Sequence, residues 1–464
     1  SSDVCSSDLI KPIVVDDLTF KLRNDKTAVL VRSPEQCYVK DDVKEKNIRD
    51  VVIPVSISFN GDEYYVTEIG QKAFYKVKIN SLKFAEGSKV VRFGKGCFHD
   101  SNIKELMIPA SLEEFDAEWC SGVDCLECVN VDPQNPAFVM NEKGILLSRD
   151  GKNLIFCLRN VNDVEIPNTV ELIMNYAFEN CGQLNKVIFQ ENSNLVKIGM
   201  NAFSSTSLNE IEIPNTTKEI CKAAFYCTIS LTTVKFQPGS MLEKIGESAF
   251  QYSSLTEIEI PQNVKVIGIY AFYYCQSLTK VTFAPNSKVK IIEPEAFRDS
   301  GLTEIEIPKN VTIFNHNLFR NCNNLTKVLL QCTRTASFQK DSFAGINLKN
   351  LIIIIYDTCK MTGQGIPPEH CIKIKKRKHH SINPLNDIEI ISMTIQLNSD
   401  IENLKKEIES KKEAIGILER DVANKDSFIK HLKEQQNISI EAYNELVQRA
   451  KLLNRSEERR VGKE

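Results

Sequence analysis

The chain has 464 residues, more than one ordinary domain core needs, so two or more units are expected. Its 58 basic and 61 acidic residues leave a formal charge of -3, which argues against a chain-wide nucleic-acid or membrane-surface role. Phenylalanine (23 residues) far outnumbers tryptophan (1), which points to Phe as a repeated core element.

Residues 1–9 (SSDVCSSDL) and 455–464 read as tag-like segments outside the native chain, so a signal peptide or a membrane anchor stays an open matter. No run of apolar residues approaches the roughly 20 that a spanning helix needs. Residues 10–47 are expected to form an N-terminal β cap. From 48 to 360 a strand motif, L-x-x-I/V-x-I/F, recurs. LNEIEIP (208–214), LTEIEIP (255–261) and LTEIEIP (302–308) alternate with LTTVKF (231–236), LTKVTF (278–283) and LTKVLL (325–330). Its first positions fall at 161, 184, 208, 231, 255, 278, 302, 325 and 348, after looser copies at 48, 79, 103 and 126, thirteen in all. A second motif, I-G-x-x-A-F, follows the strands, as at Ile198-Gly199 with Ala202-Phe203 and Ile245-Gly246 with Ala249-Phe250. The aromatic recurs at Phe178, Phe203, Phe225, Phe250, Phe272, Phe297 and Phe319, with spacings alternating between 25 and 22. The unit is therefore a 47-residue pair of turns, one of which places Pro after its strand (Pro167, Pro214, Pro261, Pro308).

One turn of this length cannot close a core, whereas stacked turns bury each other's apolar faces. The expected fold is a β-rich leucine-rich-repeat solenoid with a parallel sheet on its concave face. Stacked Phe rings should form a spine, each worth about 3–5 kcal/mol. The residues carrying these motifs are similar to the BspA-like leucine-rich-repeat family. PVSISFNGDEYYVTEIGQKAF (54–74) resembles that family's first repeat, and VDDLTFKLRNDKTAVLV (15–31) its N-terminal strand cap. FVMNEKGILLSRDGKNLIFCL (138–158) resembles its hairpin insertion, here placed near 132–160. The resemblance implies adhesion or protein binding at the cell surface, without specifying one ligand.

Residues alternating with the buried strand positions should point outward. They are Lys186, Glu210, Glu212, Lys235, Glu257, Glu259, Lys280, Thr282, Glu304, Glu306 and Lys327. Acidic turns mostly alternate with basic or neutral ones, so the face is either a self-neutralising ladder that keeps the sheet soluble or a docking surface for a protein or glycan. Cys181, Cys227, Cys275 and Cys322, spaced by 46, 48 and 47, read as one small buried position in alternate turns, too far apart for disulfides. Cys125-x-x-Cys128 has no second pair, and the six histidines form no ligand pattern, so no metal site and no cofactor are expected.

Residues 361–400 read as a linker holding KIKKRKHH (373–380), a solvated segment or a contact for import factors, anionic lipid or RNA. From 401 to 454 a heptad follows. Ile401, Ile408, Ile415, Val422, Ile429 and Tyr443 occupy position a; Leu404, Leu418, Leu432 and Leu446 occupy d. Branched residues at a with Leu at d favour a parallel dimer, so a long α-helical coiled coil should pair two copies. No nucleotide loop, zinc-protease helix or nucleophile elbow is present, and a non-catalytic binding scaffold is the expectation. The coiled coil would make it multivalent, or recruit partners to an intracellular adaptor. The compartment and any membrane contact stay open, and nucleic acid is not an expected partner.

Overall fold

A strand that reads L-x-x-I-x-I offers one apolar side, so its stability depends on the turn stacked beside it. The computed structural model shows that stacking. It describes residues 12–32, 50–332, 335–356, 359–363, 371–374, 405–414, 416–417, 420, 424–425 and 448–449. The chain divides into two units, residues 1–376 and 377–464.

The first unit opens with three antiparallel strands, Ile13–Val15, Leu18–Leu22 and Thr27–Arg32. The last of these pairs in parallel with Asp62–Ile69, which ties the cap to the solenoid. A strand lies in each of the thirteen repeat copies, from Asp50–Ile53 to Ile352–Tyr356. These long strands pair in parallel, in sheets of four, two and eight, the last sheet taking Cys371–Ile374 as its eighth strand. The break between the first two sheets falls at the insertion. There Phe138–Met140, Ile145–Ser148 and Asn153–Cys157 form an antiparallel meander of three strands, one more than a hairpin.

Each later turn has three sides. The first is a four-residue strand such as Glu257–Ile260, with Ile258 and Ile260 buried and Glu257 and Glu259 exposed. Proline ends alternate strands, and a tight turn follows in which the Val264 amide donates to the Pro261 carbonyl. The second side is a two-residue strand such as Val266–Ile267, in a parallel ladder that runs from Leu172–Ile173 to Ile291–Ile292. Glycine is needed here: a Cβ on Gly268 would stand 2.6 Å from the Gly246 backbone. The third side is a turn around the spine Phe. Alternate amides bond to the next turn, as from Phe203 to the Ala224 carbonyl and from Phe225 to the Ala249 carbonyl.

The predicted spine is present. Phe178, Phe203, Phe225, Phe250, Phe272, Phe297 and Phe319 stack with centroids 4.7–5.9 Å apart and planes within 9°. Phe343 extends it at 5.3 Å. The turns before the insertion carry a mainly edge-to-face aromatic group that includes Phe93, Phe98, Phe115 and Trp119.

One boundary differs from expectation. Pairing does not stop near Lys360: Lys360–Gly363 pairs with Thr335–Phe338, and Cys371–Ile374 pairs with Ile352–Tyr356. The start of the expected linker is thus sheet, because an edge strand as apolar as Ile352–Tyr356 needs cover. In the second unit, residues 405–414 are helical, with ion pairs along one helix from Glu407 to Lys411 and from Glu409 to Lys412. Among the described residues no helix is long and apolar enough to cross a membrane.

Candidate functional site

The long-strand side carries every residue predicted to face outward. Lys186, Glu210, Glu212, Lys235, Glu257, Glu259, Lys280, Thr282 and Glu304 are exposed; Glu306 and Lys327 are half-buried. Alternation alone places them there, since each lies one residue from a buried Ile or Val. The register sets Glu257 beside Lys280, Lys280 beside Glu304, and Glu304 beside Lys327. The ladder is only partly closed by contact. Glu304 meets Lys327 at 3.4 Å, while Glu210 reaches diagonally to Lys235 at 3.8 Å. Gln331 holds the Glu306 carboxylate. The neighbouring row is less balanced, with Glu212 beside Lys235 but Glu259 beside Thr282 and Glu306 beside Leu329. Six glutamates against four lysines leave these residues net acidic.

A groove of about 670 Å³ crosses this side over three turns. Lys235, Glu257, Glu259, Lys280 and Thr282 line it, together with Pro238, Pro261 and Asn263 from the loops. Five of the predicted residues are thereby gathered in one depression. Glu210, Glu212, Glu304, Glu306, Lys186 and Lys327 lie outside it along the same side.

A second charge ladder, on the two-residue strands, was not anticipated. Lys197 and Lys244 each meet the Glu219 carboxylate at 3.0 Å, and Lys265 meets Glu243 at 2.7 Å. Burial raises the Glu219 carboxyl, but the two ammonium groups outweigh it and hold it below its ordinary value. The signal was a charged residue one or two places before the short-strand Ile (Lys197, Glu219, Glu243, Lys244, Lys265), which counts for little until the turns are stacked.

The cysteines need one correction. Cys181, Cys275 and Cys322 are fully buried three residues after a spine Phe, but Cys227 is two residues after Phe225 and only partly buried. Thr228 takes the expected place, its hydroxyl donating to the Phe225 carbonyl at 2.6 Å. Spacings of 46 and 48 instead of 47 record this offset. The column is a small-polar one. Ser253 meets Cys275 at 3.4 Å, Ser300 meets Cys322 at 3.3 Å, and both thiols donate to a carbonyl of the preceding turn. Burial pushes Cys275 up to about 12 and Cys322 up to about 11, which suits inert packing groups.

At the seam between insertion and repeats, Arg159 is buried with no carboxylate in hydrogen-bond contact. Its guanidinium donates to the carbonyls of Val123, Cys157, Ala177 and Tyr176 and to the Cys181 sulfur at 3.2 Å. It also lies 4.2 Å from the Phe156 ring centre. Burial raises the Cys181 thiol, but hydrogen bonds with Cys157 and Arg159 outweigh it and bring Cys181 to about 7.

Cys125 donates to its neighbour Asp124 and Cys128 accepts from Asn130, so the two are engaged separately. Among the described residues no group of His, Cys, Asp and Glu could hold a metal ion. Of the coiled-coil positions, Ile408 is exposed on its helix, while Ile401, Leu404, Ile415, Leu418, Val422, Ile429, Leu432, Tyr443 and Leu446 lie outside the described residues. So does the basic cluster beyond residue 374, although Lys373 is an exposed strand residue.

No curated protein matches the chain. Among solved structures it is similar to a leucine rich cell surface protein from Faecalibacterium prausnitzii A2-165, at 18% identity and a TM-score of 0.43, covering 78% of this chain and 97% of that one. A leucine-rich repeat protein from Eubacterium ventriosum ATCC 27560 matches at 17% and 0.47, covering 73% and 95%. The pneumococcal vaccine antigen PcpA matches at 16% and 0.41, covering 77% and 99%. The profile of the BspA type leucine rich repeat region fits residues 51–138, 152–243 and 243–366. With its stacked turns and Phe spine, the chain belongs to the BspA type leucine-rich-repeat family.

Proposed function

We infer that this repeat scaffold binds another protein on its long-strand side, without catalysing a reaction on it. The observation that carries this reading is the groove. It spans three turns, and its charged lining, Lys235, Glu257, Glu259 and Lys280, is set by the repeat and not by any core requirement. Solenoids use such continuous faces for extended contacts. The net acidity of the row favours a partner with basic groups, and adhesion at a cell surface is the biological form the family resemblance suggests.

A photo-reactive amino acid at Thr282 would sit in the groove, and one at Lys244 on the two-residue strands. Full-length chains carrying each would be irradiated with a membrane and matrix protein fraction. Discrete adducts from position 282, lost when Glu212→Lys and Glu259→Lys are introduced, are expected. Equal labelling from both positions would remove the assignment. The C-terminal heptad supports a second element of the proposal, that paired helices present two such faces at once and gain avidity.

A further inference from the structure

The third side of the solenoid carries a feature that neither the core nor the groove explains. In each turn the residues two before and two after the spine Phe take a positive φ. Asn, Asp and Gly tolerate that conformation best, and Asn180, Asn201, Asp299, Asn321 and Gly345 occupy such places. Lys72, Tyr176, Ser205, Ala223, Cys227, Ser248 and Glu295 fill others, but among the described residues only the turns around Phe250 and Phe272 gather three tyrosines there, Tyr252, Tyr270 and Tyr274, with φ of 61°, 56° and 59°. A bulky side chain at positive φ is an outlier, and a cluster of outliers on one surface suggests use.

The three join Tyr226 and Tyr273 in a connected group. Tyr252 lies 5.7 Å from Tyr226, 5.7 Å from Tyr273 and 5.2 Å from Tyr274, with planes crossing at 60–84°. Tyr270 meets Tyr273 at 5.5 Å. The rings are half-buried to exposed, so they are not core; the Phe spine beneath them fills that place. Burial holds the Tyr226, Tyr270 and Tyr273 hydroxyls above their ordinary value, so the rings stay neutral.

The charges at the rim are one-sided. Lys222 is paired with Glu247 at 2.8 Å, and Arg298, stacked over Tyr273, meets both Glu295 and Asp299. Three carboxylates thus enclose two cations, both already paired. All three carboxylates are ion-paired, but the rim keeps a net charge of one acid, and beside it neutral rings with electron-rich faces attract a cation and repel an acid. Rigid tyrosine clusters also supply contact area at low entropic cost, as protein interfaces do. We propose that the cluster of Tyr226, Tyr252, Tyr270, Tyr273 and Tyr274 is a second docking surface, for a partner-protein segment that presents Arg or Lys among aliphatic residues.

Asparagine suits positive φ, so Tyr252→Asn with Tyr274→Asn removes two rings while favouring the backbone already present. The probe is a short peptide alternating Arg and Leu, titrated into the full chain by calorimetry. A peptide with Glu for Arg and a soluble glucan are run beside it. A second variant, Glu212→Gln with Glu259→Gln, removes charge from the long-strand side. The expected result is binding of the Arg peptide only, with a stronger component weakened at least about tenfold in the tyrosine variant and kept in the glutamine variant, which removes only the weaker component owed to the acidic long-strand side. Circular dichroism confirms that both variants keep the fold. Absence of binding, equal affinity in the tyrosine variant, dependence on Glu212 and Glu259 alone, or tyrosine-dependent binding of the glucan instead would each overturn the proposal. Loss in the glutamine variant alone would point to the groove, so the two surfaces are tested separately.

Discussion

At the scale of single residues, the least ordinary side chain is Arg159. A guanidinium in an apolar seam needs partners, and four carbonyls and the Cys181 sulfur supply at least one to each of its three nitrogens. The positive charge lowers the cost of a thiolate at Cys181. Its folded value of about 7 lies below the roughly 8.5 of a free cysteine, so an unfolded chain holds one more proton between them. The stability this contributes is complete above the free value and is lost as pH falls through the folded one. Relative to Cys181→Ser, the wild-type chain should therefore gain stability in urea denaturation as pH rises from 6.5 to 8.5. A parallel pH profile for the two would mean that Cys181 stays a thiol.

The elements show how far the sequence carries and where it stops. Thirteen strand positions, the Phe spine and the outward residues were all legible, because each depends on a neighbour one or two residues away or on a fixed period. Cys227 misled because a one-residue offset inside a periodic column changes which side chain is buried, and Thr228 satisfies the same need. The left-handed turns were hidden because Tyr252, Ala223 and Ser248 stand where glycine would have announced them. Arg159 was hidden because four of its five acceptors come from residues 123, 176, 177 and 181, brought near only by the insertion. The far end of the solenoid was read two strands short, Lys360–Gly363 and Cys371–Ile374. TGQGIPPEH looks like a linker, yet Cys371–Ile374 pairs after it. This has a measurable consequence. A chain ending at Lys360 leaves the edge of Ile352–Tyr356 open, and an apolar edge strand recruits another. Light scattering should show association for residues 12–360 and a monomer for residues 12–376. A clean monomer for the shorter chain would mean that Cys371–Ile374 is dispensable as cover.

For the whole molecule the deciding quantity is copy number. A single groove contacting one short segment binds weakly, whereas two grooves on one particle convert the second contact into an intramolecular event. On the reading proposed above, the heptad would supply the means. Ile408 lies exposed on a helix whose described flanks, Glu407 to Lys411 and Glu409 to Lys412, are already paired within the chain. Such exposed pairs add little stability, and an isolated helix of this kind is marginal without an apolar seam to bury. Self-pairing through Ile401, Leu404, Ile408, Ile415, Leu418 and Val422 would bury that seam. Lys411, Lys425 and Gln436 at seam positions should weaken it enough that dissociation falls in a measurable concentration range. Sedimentation equilibrium of residues 12–454 should therefore show a monomer–dimer equilibrium. Ile408→Asp with Leu418→Asp should abolish it, since each places a charge in the seam of both helices. The same variant should bind a surface-immobilised ligand of the groove at least about tenfold more weakly than wild type, yet equally well when the ligand is free in solution. If the wild type is monomeric throughout, the helix pairs with a different chain, and a peptide of residues 401–454 becomes the bait with which to find it.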